Sequence, residues 1–340
     1  MRLKSALRRG VAAAVIAGIV VSSGIPAYAA RWDIADGDIT VKAGSTEGTN
    51  RVTQGEKDVE DTDTVITGES KENTVTIDTS KGDVDVTFDD LKIDASDKGE
   101  AAVRVEGNGD ATIELDGDNE LKSGGYNAGL EKDGHRSEGT LTIKDDKGKD
   151  GSLTAEGGDG GGAGIGGGKE STGSSITIRG GTVEAVGGSS AAGIGDGAYR
   201  ASDDTDDPNP GKLYICGDAE VTAKAGSQMM TDAKAPAIGG TYGEVPTENL
   251  SDDEHKVTGG RLTRLNADGT EMEGMGYDYT STPTPQPDDD EDDDDDVPPP
   301  AQENAPESLP GGMVVKGFFS SRVTIQRLDL SGVTESSTDP

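Results

Sequence analysis

The chain has 340 residues, a formal charge of −35, one cysteine, and only three Phe, one Trp and seven Tyr. That charge weighs against nucleic acid and anionic membrane surfaces as partners and favours cations and solubility in salt. A lone Cys216 excludes an intrachain disulfide, and so few aromatic residues exclude an ordinary aromatic-rich globular core.

Residues 1–29 have the layout of a removable export signal. Arg2, Lys4, Arg8 and Arg9 form a basic segment, Val11 to Val21 an apolar stretch too short to span a bilayer, and Ala27-Tyr28-Ala29 an A-x-A cleavage site. Cleavage there starts the mature protein at Ala30, takes the charge to about −39 and leaves nothing to insert in a membrane. The expected location is secreted, extracellular or on the cell surface.

Trp32-Asp-Ile34 and Asp38-Ile-Thr-Val41 open the mature chain as strands. Thr64-Val-Ile66, Thr74-Val-Thr-Ile77, Val84-Asp-Val-Thr-Phe88 and Leu91-Lys-Ile93 follow, each alternating apolar and polar residues, as strands with one buried face do. These are expected to be irregular first coils, because the end of an open stack exposes unpaired strand edges. Trp32 is the natural lid.

Ala111-Thr-Ile113-Glu-Leu115 leads into a repeat. Ala163-Gly-Ile-Gly166, Ala192-Gly-Ile-Gly195 and Ala237-Ile-Gly239 recur, with looser copies at Ala128-Gly-Leu130 and Ala102-Val103. Marked by the branched residue, the series runs 103, 130, 165, 194, 238, with spacings of 27, 35, 29 and 44. Between the marks lie strand pairs: Leu141-Thr-Ile143 with Ser152-Leu-Thr-Ala155, Ile176-Thr-Ile178 with Thr182-Val-Glu-Ala185, and Leu213-Tyr-Ile215 with Glu220-Val-Thr-Ala223. Three short strands in roughly 27 to 29 residues make one coil of a parallel β-helix. Glycines fall at the corners, and Ile, Val, Leu and Ala are expected to fill the interior.

The 44-residue interval contains Ser202 to Pro210, a polar loop leaving the stack. Cys216, at a strand end, is expected to be a small buried or corner residue. Lys256-Val-Thr-Gly-Gly-Arg-Leu-Thr263 supplies the final coil, so that residues 30–280 form the repeat domain. Residues 281–308, with Asp288 to Asp296 flanked by prolines, are expected to be a disordered linker; 309–340 form a short tail of unknown role. Leu309-Pro-Gly-Gly312 lacks the threonine of a wall-sorting signal.

The phrases Trp32-Asp-Ile34, Asn73-Thr-Val-Thr-Ile-Asp78, Leu115-Asp-Gly-Asp-Asn119, Gly162-Ala-Gly-Ile-Gly-Gly-Gly168 and Ile176-Thr-Ile-Arg-Gly-Gly-Thr182 resemble a family of secreted proteins of gut Gram-positive bacteria, described as carbohydrate-binding domain-containing proteins. The resemblance covers about residues 32–265. It implies an all-β, right-handed parallel β-helix of pectate-lyase type, surface display and polysaccharide binding, and its matching residues are corners and core that fix no ligand.

Catalytic motifs known from such scaffolds are not evident. Arg104, Arg136, Arg179 and Arg200 stand outside the R-x-P-x-x-R pattern of pectate lyases, and Gly134-His135-Arg136 is the nearest approach to the G-H-G element of polygalacturonases. Aspartate pairs such as Asp145-Asp146 are expected in any chain with 66 acidic residues. No catalytic residue is therefore assigned.

Glycan contacts are expected from Tyr126, Tyr199 and Tyr242, close to the register marks, where a row of rings one coil apart suits an extended sugar. Calcium is a possible ligand at Asp159, Asp196, Asp203 and Asp204, oxygen donors in loops expected to converge on that edge. No cofactor is required. The reading is a secreted, monomeric, non-catalytic carbohydrate-binding module; the alternatives are a structural stalk or protein-binding adhesin, and a polysaccharide lyase or hydrolase of the pectin class.

Overall fold

The computed structural model describes residues 28–148, 150–198, 211–227, 235–240, 243–245, 255–273 and 277–278. The chain divides into units of residues 1–284 and 285–340, and all described residues belong to the first. The leader ahead of Tyr28, the Ser202 to Pro210 loop, the acidic linker and the tail lie outside the described residues.

Successive strands stack in parallel on three faces. Face A contains Ile39–Ala43, Val75–Asp78, Val103–Gly107, Leu130–Ser137, Ile165–Gly166, Ile194–Gly195 and Ile238–Gly240. Its inward file runs Ile39, Val75, Val103, Leu130, Ile165, Ile194, Ile238, so all five register marks of the sequence align and two earlier coils join them.

Face B begins with Tyr28–Asp33 beside Lys57–Ser70. It continues through the first half of Val84–Asp94 to Ala111–Asp116, Leu141–Lys144, Ile176–Ile178, Leu213–Ile215 and His255–Val257. Face C takes the second half of Val84–Asp94, then Asp118–Lys122, Ser152–Glu156, Thr182–Val186, Glu220–Lys224 and Arg261–Leu265. Val84 to Phe88 and Leu91 to Ile93, separate strands in the sequence reading, are one strand that turns the corner at Asp90, whose φ is 51°.

Both ends depart from the parallel pattern. At the start, Asn50–Gln54 pairs antiparallel with Ile39–Ala43 on one side and Lys57–Ser70 on the other. Trp32 is buried there, its Nε1 donating to Asp61 Oδ2 at 2.7 Å, with Lys57 Nζ 5.9 Å from the ring centroid. At the far end Gly243–Glu244 folds back on Ile238–Gly240, and Tyr277–Asp278 on Arg261–Leu265. Glu244 accepts from Ala237 N (2.6 Å), Ile238 N (3.1 Å) and Arg264 Nη1 (2.9 Å), and Arg264 also donates to Val245 O. Burial pushes the Glu244 carboxyl up and the Arg264 guanidinium down.

The Ala-Gly-Ile-Gly phrase has a steric origin. Gly166, Gly195 and Gly239 have φ of +134°, +134° and +147°, and a Cβ on Gly166 would lie 2.1 Å from Gly195 O. Between these two coils the space beside Gly166 is thus filled by the backbone of the next coil, whereas the earlier coils carry Thr40, Thr76, Arg104 and Glu131 at the same step.

The interior is not purely aliphatic, contrary to the sequence reading. Asn119, Lys132, His255 and Arg264 occupy inward files and are buried. Asn119 is fully engaged: Oδ1 accepts from Leu91 N (2.9 Å), and Nδ2 donates to Asp116 O (3.2 Å), Gly117 O (3.3 Å) and Ser152 O (3.0 Å). Half-buried Cys216 follows the strand Leu213–Ile215, at the corner expected for it.

Candidate ligand-binding groove

Strand alternation on face B sends every second residue outward, and the parallel register stacks those residues in one file: Asp85, Thr112, Thr142, Thr177, Tyr214, Lys256. A second outward file runs Thr87, Glu114, Lys144, with Arg179 just beyond the end of its strand. Asp85, Thr112 and Thr142 of the first file, with the second file and Arg179, floor a groove of about 420 Å³, and Thr177, Tyr214 and Lys256 continue the first file beyond it. One wall is the N-terminal hairpin, through Asn50 and Thr62 to Thr64; the other is the corner after Leu141–Lys144, through Lys147.

Polar contacts hold both walls. Asn50 Nδ2 donates to Thr64 Oγ1 (2.9 Å) and Asp85 O (2.6 Å). Glu114 Oε1 accepts from the backbone N–H groups of Asp146 (2.8 Å) and Lys147 (2.7 Å), while Oε2 pairs with Lys144 at 3.1 Å. Lys147 Nζ reaches Asp63 Oδ1 and Thr87 Oγ1, each at 3.4 Å.

Among the described residues, each cation of the groove faces a carboxylate. Lys144 Nζ and Arg179 Nη2 both pair with Asp146 Oδ2, at 2.9 and 3.0 Å. The hydrogen bond to Asp146 raises the Lys144 pKa, and the same bond holds the Asp146 carboxyl below the usual carboxylate range. Asp83 Oδ1 accepts only the backbone N–H of Asp110 (2.9 Å), and Asp85 has no ion pair among the described residues. Among the described residues the unneutralised charge facing the groove is therefore negative.

Of the residues expected to bind ligand, Tyr126, Asp159 and Asp196 lie outside this groove. Tyr126, in the turn ahead of Leu130–Ser137, is 61 % exposed, and Lys169 Nζ sits 4.6 Å from its ring centroid. Its carbonyl accepts from Lys169 N at 2.7 Å, just as Gly161 O accepts from Ala198 N at 2.7 Å one coil further on. Loops that follow face A thus fold over loops that precede it. Tyr199, Tyr242, Asp203 and Asp204 lie outside the described residues. Asp159 is exposed in a turn, whereas Asp196 is buried and its Oδ1 accepts from Gly173 N at 2.8 Å. Among the described residues no group of three or more His, Cys, Asp or Glu is placed to hold a metal ion.

Sequence reasoning passed over the threonine file. Its signal was present: Ala111-Thr-Ile113, Leu141-Thr-Ile143 and Ile176-Thr-Ile178 carry Thr at the same outward step. The walls had no such signal, since Asp63 and Lys147 are 84 residues apart.

Residues 176–198 match a family model described as a beta helix repeat. The match spans one coil, from Ile176–Ile178 on face B through Thr182–Val186 on face C to Ile194–Gly195 on face A. The chain is a parallel β-helix. Comparison with curated proteins and with solved structures gives no match.

Proposed function

We propose that this β-helix is an exported, non-catalytic carbohydrate-binding module that receives an extended glycan along the outward face B. The observation that carries this reading is the file Thr112, Thr142, Thr177 and Tyr214 along the stack axis. A saccharide chain lying along that axis meets three hydroxyls and then an aromatic ring at intervals of about 4.8 Å, the spacing of neighbouring strands. The groove supplies hydroxyl and carboxylate groups and the same file carries an aromatic ring beyond it, the kinds of group that orient a sugar.

The engagement of Glu114 marks it as part of the groove wall. A general acid or base needs a proton-exchanging carboxyl within reach of the substrate; this one is buried, accepts two backbone N–H groups and pairs with Lys144. Export follows from the basic, apolar and A-x-A segments of residues 1–29. A glycan array probed with the protein, with hits incubated for product, tests the reading. Saturable binding abolished by Thr142→Arg, with no product, is the expected result; release of product, or binding indifferent to that substitution, overturns it.

A further inference from the structure

Asp61 is a buried carboxylate, 1 % exposed, held entirely by neutral donors: Ala30 N at 3.1 Å, Trp32 Nε1 at 2.7 Å and Asp63 N at 3.2 Å. It has no cationic partner among the described residues. An ionised carboxylate out of water without a countercharge is costly. One of its donors is the amide nitrogen that the A-x-A pattern Ala27-Tyr28-Ala29 marks as the first of the exported chain. The strand ladder changes register between Tyr28 and Ala29, and Ala30 stands in the regular part of the pairing with Lys57–Ser70, opposite Thr64.

We infer that removal of the leader completes the N-terminal cap by creating an α-ammonium at Ala30 that pairs with Asp61. The inference rests on export of the chain and not on glycan binding. In the step, water adds across the Ala29–Ala30 peptide bond under a signal peptidase. Ala29 leaves with the leader as a carboxylate, and the amine freed on Ala30 takes up a proton. The nitrogen already stands at hydrogen-bond distance, so a neutral bond becomes a charge-assisted one with little rearrangement. The same carboxylate holds the indole of Trp32, which ties the new terminus to the residue that closes the core. Processing therefore stabilises the first coil, and the precursor lacks this ion pair.

The test starts with the mass of the exported protein, which is expected to begin at Ala30. Thermal unfolding is then followed by the fluorescence of Trp32, the sole tryptophan. Protein starting at Ala30 is compared with the same protein carrying one additional glycine ahead of Ala30, and with protein acetylated on the Ala30 amine. Either change moves or removes the ammonium and is expected to lower Tm by about 5 °C. In Asp61→Asn the difference between free and extended termini should vanish. Equal Tm values for free, extended and acetylated proteins, a difference that persists in Asp61→Asn, or an exported chain beginning elsewhere overturns the inference. The acetylated protein keeps Asp61 intact, so the test stands even if Asp61→Asn does not fold.

Discussion

Asn119 stands in register with Leu153, its neighbour in the same inward file of face C, and fills with hydrogen bonds the place that Leu153 fills with hydrocarbon. Leucine at 119 would satisfy the apolar pattern of the file and still be wrong, because it leaves the N–H of Leu91 and the carbonyl of Ser152 without their side-chain partner. Asn119→Leu is expected to lower stability by about 2 kcal/mol. Urea unfolding measures it, and an unchanged midpoint would refute the role given to Asn119.

Gly166 and Gly99 separate steric need from conformational preference. Both have positive φ, but a Cβ at Gly166 meets Gly195 O at 2.1 Å, whereas at Gly99 it meets nothing within 4 Å. Gly99→Ala should cost about 1 kcal/mol, the left-handed penalty alone. Gly166→Ala should cost about 3 kcal/mol or more, since backbone of the next coil must shift. Similar losses in calorimetry would show that the coils are less tightly stacked than described.

Lys132 gives the fold an alkaline signature. Burial lowers its pKa from 10.5 to about 8, against a smaller opposing pull from Asp110. Between those values the unfolded chain holds a proton that the folded chain has released, so this group's contribution to stability grows as pH rises through the window and is smallest below it. Denaturant unfolding at pH 7.5 and 10 should show wild type gaining about 2 kcal/mol more than Lys132→Met over that interval. Parallel pH profiles for the two proteins would count against the buried lysine as the cause.

The groove and the tyrosine edge make opposite forecasts for binding. Thr142→Arg places a long charged side chain in the outward file and should abolish glycan binding while leaving unfolding nearly unchanged. Tyr126→Ala removes an exposed ring stacked with Lys169, costs about 0.5 kcal/mol in stability and should leave binding intact. The reverse pattern in titration calorimetry would move the site to the tyrosine edge.

Asp85 should set the charge preference of the ligand. Because Lys144, Lys147 and Arg179 already face carboxylates, the groove offers a cationic sugar an open partner and a uronate none. Amino-sugar oligomers should bind better than neutral ones, and polygalacturonate weakest. Asp85→Asn should weaken the amino-sugar complex about tenfold. Asp159→Asn with Glu184→Gln serves as a control for diffuse charge, both residues being exposed away from the groove. Equal loss in that control, or tight binding of the uronate polymer, would dismiss Asp85 as the determinant.

The amino-acid sequence alone determined the period of this protein, its all-β character and the alignment of Val103, Leu130, Ile165, Ile194 and Ile238. Each coil presents the same backbone ladder and the same narrow interior to the next, so the same residue class must recur at each step, and recurrence is visible in one dimension. The tertiary structure decided what repetition leaves open. Whether Asn119 can stand in an apolar file depends on Leu91 and Ser152, in the coils on either side. The groove depends on Lys147 meeting Asp63, and the N-terminal cap on Ala30 meeting Asp61. These are single contacts between residues of unlike type, brought together by the stacking of coils, and no spacing or alternation in the chain encodes them.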